Sequence, residues 1–193
     1  MKHQHPFEWL PIKTQKQVLV VLCILTLVVM AGLRFLDGPL KTEAAPAGIL
    51  SFEFSGNLAV AKSMLASWGP KGAVFAGLSL GLDFLFLFLY AGVMGLGCVL
   101  AARSLPARLK TFSLLGTPIA WGQLGAALLD SVENVSLIQL LLGAESEILP
   151  VLAFWCAMAK FSLVAVGLVY ILASGVLLIF LKPPAGPSPV NLS

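Results

Sequence analysis

The sequence contains few charged residues and only two histidines. Asp, Glu, Lys and Arg make up 11% of its 193 residues, and His3 and His5 both precede the first long apolar run. No histidine is therefore available within an apolar segment to ligate haem, chlorophyll or a metal ion. Because the His3-x-His5 pair is more typical of a solvated terminal segment than of a metal site, the sequence predicts no metal and no cofactor.

Three further absences exclude other function classes. The cysteines occur singly and form no C-x-x-C pair, so thiol–disulfide chemistry of the quinone-linked type lacks its reactive unit. No glycine-rich nucleotide-binding loop is present, and a net charge of +3 does not indicate a nucleic acid partner. The G-x-S-x-G pattern at Gly77, Ser79 and Gly81 has no later histidine, so it is better interpreted as a small-residue face for helix packing.

Apolar residues are abundant and are grouped into long runs. The chain is 59% hydrophobic and has a mean hydropathy of +0.96, which is typical of repeated membrane spans of about 20 residues. The sequence therefore predicts an all-α, polytopic membrane protein with four transmembrane helices in a bundle. The predicted spans are residues 18–36, 73–102, 112–142 and 149–181. The first run is longer than the apolar region of a usual signal peptide, which favours a retained signal anchor.

The remaining segments are short, apart from one loop. They are an N-terminal segment (1–17), a long loop (37–72), a short loop (103–111), a turn (143–148) and a proline-rich tail (182–193) that is predicted to be disordered. In the long loop we expect an extended stretch over 48–54 and an amphipathic interfacial helix over 58–68. Ser55 or Asn57 would cap this helix, and Gly69-Pro70 would end it. Pro118 is expected to kink the third span.

The distribution of Lys and Arg predicts the orientation. Basic residues that would share one side of the membrane are Lys2, Lys13, Lys16, Arg103, Arg108, Lys110 and Lys182. The opposite side receives the 37–72 loop, whose charges are mixed, and the 143–148 turn, whose only charged residues are Glu145 and Glu147. The positive-inside rule therefore places both termini in the cytoplasm.

Ionisable residues inside the apolar spans mark the candidate site. At ~1.5 Å per residue, they all lie about 15–20 Å from the outer ends of their spans. These residues are Asp83, Asp130, Glu133 and Lys160, and the neutral amide of Asn134 completes the candidate set. Asp130, Glu133 and Asn134 share one helix face, because their spacing is i, i+3 and i+4. Supporting polar residues on the same faces are Gln123, Ser79 and Tyr90. Charges of this kind are expected to point into the bundle, where they can satisfy one another.

The charges of this set do not balance. Three carboxylates face one lysine, so either some carboxylates are protonated or a cation or a cationic ligand completes the cluster. The alternative is a network of ion pairs and hydrogen bonds that only fastens helices together.

A resemblance rests on five short patterns. They are Ser51-Phe52-Glu53-Phe54, Trp68-Gly69, the segment from Gly81 through Asp83 to Phe86, Asp130-x-x-Glu133-Asn134, and Ala159-Lys160-Phe161. With these patterns, residues 50–175 resemble a family of small, uncharacterised four-span bacterial membrane proteins. The resemblance implies the fold and brings no activity with it.

Three functional hypotheses remain open at the level of the sequence. In the first, the acidic cluster binds or relays a proton, a cation, or a small cationic or lipid-like ligand within the bilayer. In the second, the chain is a structural or accessory subunit that contacts a membrane-complex partner or a second copy of itself. In the third, it is an enzyme on a lipid-like substrate, with Asp83, Asp130 and Glu133 as acid–base groups.

The orientation can be tested by labelling single cysteines in a background without the native cysteines. A membrane-impermeant thiol reagent applied to intact cells should modify cysteines placed in 40–70 and should reach those in 103–110 only after the membrane is opened. Modification of both loops from the same side would rule out this topology.

Overall fold

Residues 5–180 are described by a computed structural model, and all the regular secondary structure in this range is helical. The helices are α1 Ile12–Asp37, α2 Ile49–Glu53, α3 Leu58–Ser104, α4 Lys110–Leu114, α5 Gly116–Leu141 and α6 Ile148–Phe180, with 3-10 turns at Gly38–Leu40 and Ala107–Leu109. Four segments that contain α1, α3, α5 and α6 are long and apolar enough to cross a membrane. This confirms the predicted helical class and the number of candidate spans. Lys2, His3 and the predicted tail (182–193) lie outside the described residues.

The long helices pack with α3 at the centre, in contact with α1, α5 and α6. Helix α5 contacts both α3 and α6, whereas α1 packs mainly against α3. The α1–α3 contact is close because Gly32 lies against Leu82 and Gly92 lies against Leu22, so a leucine of one helix meets bare backbone of the other. Helix α1 buries only Gln15 and Asp37, while α5 buries Gln123, Asp130, Glu133, Asn134 and Ser136. Polar side chains are therefore concentrated inside, and apolar ones cover much of the surface.

Helix α3 consists of two parts separated at Gly69. The first part, 58–68, begins where the Asn57 side chain accepts a hydrogen bond from the N–H of Val60 at 2.9 Å, as a helix N-cap does. Gly69 has φ 60° and ψ −171°, outside the helical region, and Pro70 then starts the second part, 70–104. The predicted helix over 58–68 and its Asn57 cap are thus present.

The segment between α1 and α3 folds back over the ends of the long helices at which α1 and α5 finish and α6 begins. The Trp68 indole N–H donates to the carbonyl of Leu40 at 2.7 Å, and the Trp68 ring meets Phe52 edge-on at 5.3 Å. The extended stretch predicted over 48–54 is wrong, because this region contains α2. Asp37 Oδ1 accepts from the N–H of Ile49 at 2.9 Å and satisfies a backbone donor in the first turn of α2.

The kink expected at Pro118 takes the form of a break three residues earlier. Helix α4 ends at Leu114 and α5 begins at Gly116, with Leu115 between them. Pro118 has no N–H to donate to the carbonyl of Leu114, and its ring crowds that carbonyl, so a continuous helix across this point is disfavoured.

A buried glutamine fastens the N-terminal segment to the C-terminal end of α3. Gln15 is 0% exposed. Its amide donates to the carbonyls of Phe7 and Leu10 at 3.0 and 2.8 Å, and its oxygen accepts from Arg103 Nη1 at 2.9 Å. The second guanidinium nitrogen of Arg103 lies 2.6 Å from His5 Nε2. Residues 5–15 are therefore tied to the end of α3.

Replacement of Gln15 by alanine should destabilise the protein, since it removes the hydrogen bonds that the buried Gln15 amide donates to the carbonyls of Phe7 and Leu10 and the one that it accepts from Arg103. We expect a loss of about 1–3 kcal/mol, seen as a lower midpoint of thermal unfolding in detergent. The exposed Gln17, two residues further along the same helix, provides the matched control, and Gln17→Ala should leave the midpoint unchanged. Equal midpoints for the two variants would contradict the fastening role.

Candidate functional site

Lys160 lies at the centre of a buried group of carboxylates. Its ammonium is 2.5 Å from Asp130 Oδ1, 3.0 and 2.9 Å from the two oxygens of Glu133, and 3.6 Å from Glu53 Oε2. Lys160 is 6% exposed, Asp130 2% and Glu133 0%. A buried ammonium is tolerated only when carboxylates surround it at this range, because unpaired charge in an apolar interior costs several kcal/mol.

The positions of Asp130 and Glu133 follow from local sequence. They are three residues apart on α5, so both project from the face that packs against α6. On α6, Ala157 and Ala153 precede Lys160 by about one and two turns, and both are fully buried. Small side chains on this face allow α6 to approach α5 closely, so that the lysine reaches both acids.

Glu53 joins the cluster from outside the long helices, and the sequence analysis did not place it there. It ends α2, and the following residue, Phe54, packs against the rings of Phe154 and Phe161 on α6 at 5.8 and 5.9 Å. Burial raises the pKa of the Glu53 carboxyl, while the nearby Lys160 opposes this effect. The only sequence signal for this role was an acid flanked by two phenylalanines in a loop.

Asp83 belongs to the same region but is held differently. The side-chain amide of Asn134 donates to Asp83 Oδ2 at 2.6 Å, which links α3 to α5. No ion pair between Asp83 and Lys160 is present in residues 5–180. The structure therefore brings all five predicted residues into one region, with Glu53 as an additional member, and divides them into a lysine-centred part and an Asp83–Asn134 part.

A cavity of about 360 Å³, called the inner cavity, adjoins both parts. Its polar lining comes from Asp83, Tyr90, Asp130, Lys160 and Thr26, and its apolar lining comes from Phe86, Val93, Met94, Phe161 and Val164. The Tyr90 hydroxyl is buried and interacts with Asp130, without a hydrogen bond of standard geometry. Phe161 is 44% exposed, so the cavity reaches the molecular surface beside α6.

A second cavity of about 330 Å³, called the outer cavity, lies beside the C-terminal part of α1 and the segment that follows it. It is lined by Met30, Leu33, Arg34, Asp37, Lys41, Pro46, Ala47, Ile49, Leu50, Ser79, Asp83 and Phe86. Two of these residues, Asp83 and Phe86, also line the inner cavity. The two cavities therefore meet at Asp83.

The three supporting polar residues have different roles. Tyr90 lines the inner cavity and Ser79 lines the outer one. Gln123 lies at neither. Its amide donates to the carbonyl of Leu163 at 2.9 Å, and it presses against Gly167, where a Cβ would overlap it. Gln123 thus joins α5 to α6 away from the carboxylates.

The excess of carboxylates over cations in this region is larger than the sequence alone indicated. With Glu53 included, four carboxylates share one lysine, so full ionisation would leave three uncompensated negative charges. Within the part of the chain that the structure describes, no group of three or more His, Cys, Asp or Glu side chains has the arrangement to hold a metal ion. The position between Asp130 and Glu133 is taken by the Lys160 ammonium itself.

Lys160→Met should destabilise the protein more than Asp83→Asn does. Removing the shared cation leaves Asp130, Glu133 and Glu53 facing one another, a loss of about 3–5 kcal/mol, whereas Asp83→Asn removes one negative charge and keeps a group of the same shape. The midpoint of thermal unfolding in detergent measures both effects.

The double variants identify the partners of the lysine. Lys160→Met combined with Asp130→Asn should recover more stability than Lys160→Met combined with Asp83→Asn, because Asp130 contacts the ammonium directly and Asp83 does not. If Lys160→Met is neutral, or if neither acid replacement improves it, the lysine does not balance these acids.

Comparisons with protein-family models, with curated proteins and with solved structures found no match for this chain.

Proposed function

We propose that this chain is a multi-pass membrane protein whose four long helices form a bundle and bind a cationic, lipid-like ligand in the inner cavity. The surface supports membrane insertion. Exposed apolar side chains such as Val28 and Phe35 on α1 and Ile179 on α6 would lie in water if the protein were soluble. Soluble proteins rarely expose contiguous apolar surface of this extent.

The proposed orientation places both termini in the cytoplasm of a bacterium, with the chain in the inner membrane. The Lys and Arg bias remains its support. The end of the molecule formed by Gln15 and Arg103 would then be cytoplasmic, and the end formed by Lys62 and Glu145, which pair at 2.6 Å, would be external. Glu145 is exposed, and its hydrogen bond to Lys62 lowers its pKa, as expected for a carboxylate paired in water.

One observation carries the ligand proposal: Asp83 is a carboxylate at the wall of a cavity, with an amide rather than a cation as its partner. The positive charge of Lys160 is already shared by Asp130, Glu133 and Glu53. A cationic group in the inner cavity would lie beside Asp83 and Asp130 and would reduce the excess negative charge. In an apolar setting this attraction is much stronger than in water.

The rest of the inner cavity favours an apolar body attached to that cation. Phe86, Val93, Met94, Phe161 and Val164 form most of its lining. The cavity lies between α1 and α6, which pack through other helices rather than against each other, so its opening faces the side of the bundle. A ligand dissolved in the bilayer would reach the carboxylates through this opening with its charged group leading.

The proposal is tested by thermal unfolding of purified protein in detergent with three ligands of equal chain length: decylamine, decanol and decanoate. At neutral pH, decylamine is a cation and should raise the midpoint by about 5 °C when it is well above its Kd. Decanol and decanoate should not, since they cannot neutralise Asp83 or Asp130.

Two carboxylate-to-amide variants complete this experiment. Asp83→Asn should lose the response to decylamine, whereas Glu147→Gln, which changes an exposed acid in the outer turn, should retain it. A decylamine response that is matched by decanol, or that survives in Asp83→Asn, would sink the proposal of a cation site at Asp83.

A further inference from the structure

The outer cavity contains a charged group that the inner cavity lacks, a guanidinium. Arg34 and Lys41 contribute two cations to its lining. Both carboxylates of this lining are already engaged: Asp37 accepts from the N–H of Ile49 at 2.9 Å and pairs with Lys41 at 3.7 Å, and Asp83 accepts from the side-chain amide of Asn134 at 2.6 Å. Arg34 forms no ion pair in residues 5–180. A guanidinium without a carboxylate partner, at the edge of a cavity, favours an anion.

The helix register places Arg34 close to Asp83. Helices α1 and α3 run in opposite directions, with Gly32 against Leu82 and Leu22 against Gly92. Arg34 therefore lies about one helical turn outward from the level of Asp83. Since Asp83 lines both cavities, a ligand that passes from one to the other would meet first the guanidinium and then the carboxylates.

We infer that the two cavities together bind a lipid whose head group carries a phosphate beside an ammonium, as an aminophospholipid does. This inference rests on the proposed function and specifies its ligand. The phosphate lies at Arg34 in the outer cavity, the ammonium lies at Asp83 and Asp130 in the inner cavity, and the acyl chains leave through the side opening between α1 and α6. A phosphate is suited to Arg34 because the guanidinium can donate two parallel hydrogen bonds to its oxygens.

The apolar lining of the outer cavity fits a lipid better than a soluble phosphate compound. Met30, Leu33 and Leu50 contribute to it, and the adjoining outer surface of α1 is apolar, with Phe35 79% exposed. An arginine at the end of a membrane helix can also reach interfacial water without any ligand. An arginine that only contacts interfacial water would not distinguish one lipid head group from another. The experiment therefore compares head groups.

The test compares four probes on the full chain in detergent by their effect on the midpoint of thermal unfolding. Short-chain phosphatidylethanolamine has both charges and a tail, short-chain phosphatidylglycerol lacks the ammonium, decylamine lacks the phosphate, and phosphoethanolamine lacks the tail. Phosphatidylethanolamine should produce the largest upward shift, and phosphatidylglycerol and phosphoethanolamine should produce smaller ones. Equal shifts for the two phospholipids would overturn the inference, and an equal shift with phosphoethanolamine would overturn the assignment to a lipid.

Charge variants separate the two cavities. Arg34→Gln should reduce the phosphatidylethanolamine shift to the size of the decylamine shift and leave the decylamine shift intact. Lys71→Gln removes an exposed cation that lines neither cavity and should change neither response. If Arg34→Gln keeps the full phosphatidylethanolamine shift, the outer cavity does not bind the phosphate, while the decylamine response of the unaltered protein still reports on the proposed function separately.

Discussion

The burial of the Lys160 ammonium among apolar helices is the constraint on which the rest of the structure depends. A lone cation in such surroundings is strongly unfavourable, so carboxylates must lie within ion-pair distance of it. Asp130 and Glu133 approach from α5, which fixes the register of α5 against α6. Glu53 approaches from α2, which holds the segment between α1 and α3 against the long helices. The stacking of Phe54 on α6 and the contact of Phe52 with Trp68 hold that segment in place.

Under the proposed function, the buried carboxylates divide into those that hold helices together and those that face a ligand. Glu133 is fully buried against Lys160 and lines neither cavity, so its part is to hold helices together. Asp83 and Asp130 line the inner cavity, where an excess of negative charge is useful to a ligand and costly without one. Under the proposed function, the two hypotheses that the sequence left open, a structural network and a binding site, apply to different members of one cluster.

Much of the fold could be predicted from the sequence, since helix number depends on the length of apolar runs and the shared face of Asp130 and Glu133 depends on their spacing. The position of Lys160 at the same level as the carboxylates could also be predicted, by counting residues from the end of its apolar span. The position of Glu53 could not be predicted in this way, because it depends on a loop folding back over distant helices. Nor could residue spacing show that Asp83 binds Asn134 rather than Lys160, because that depends on how the side chains of three helices are placed relative to one another. The burial of Gln15 could not be predicted either, because its partners, two backbone carbonyls and Arg103, come together only in the folded chain.

The order of these charges along the chain has a consequence for biosynthesis. Ribosomes produce Glu53, Asp83, Asp130 and Glu133 before Lys160, which belongs to the last long helix of the described chain. Until α6 is made and docked, the acids have no lysine to pair with, so a nascent chain that ends before α6 contains three apolar helices and a set of uncompensated carboxylates. Helix α6 is thus the element whose arrival completes assembly. A protein truncated before it would present to quality-control proteases an exposed acidic face that the finished molecule hides.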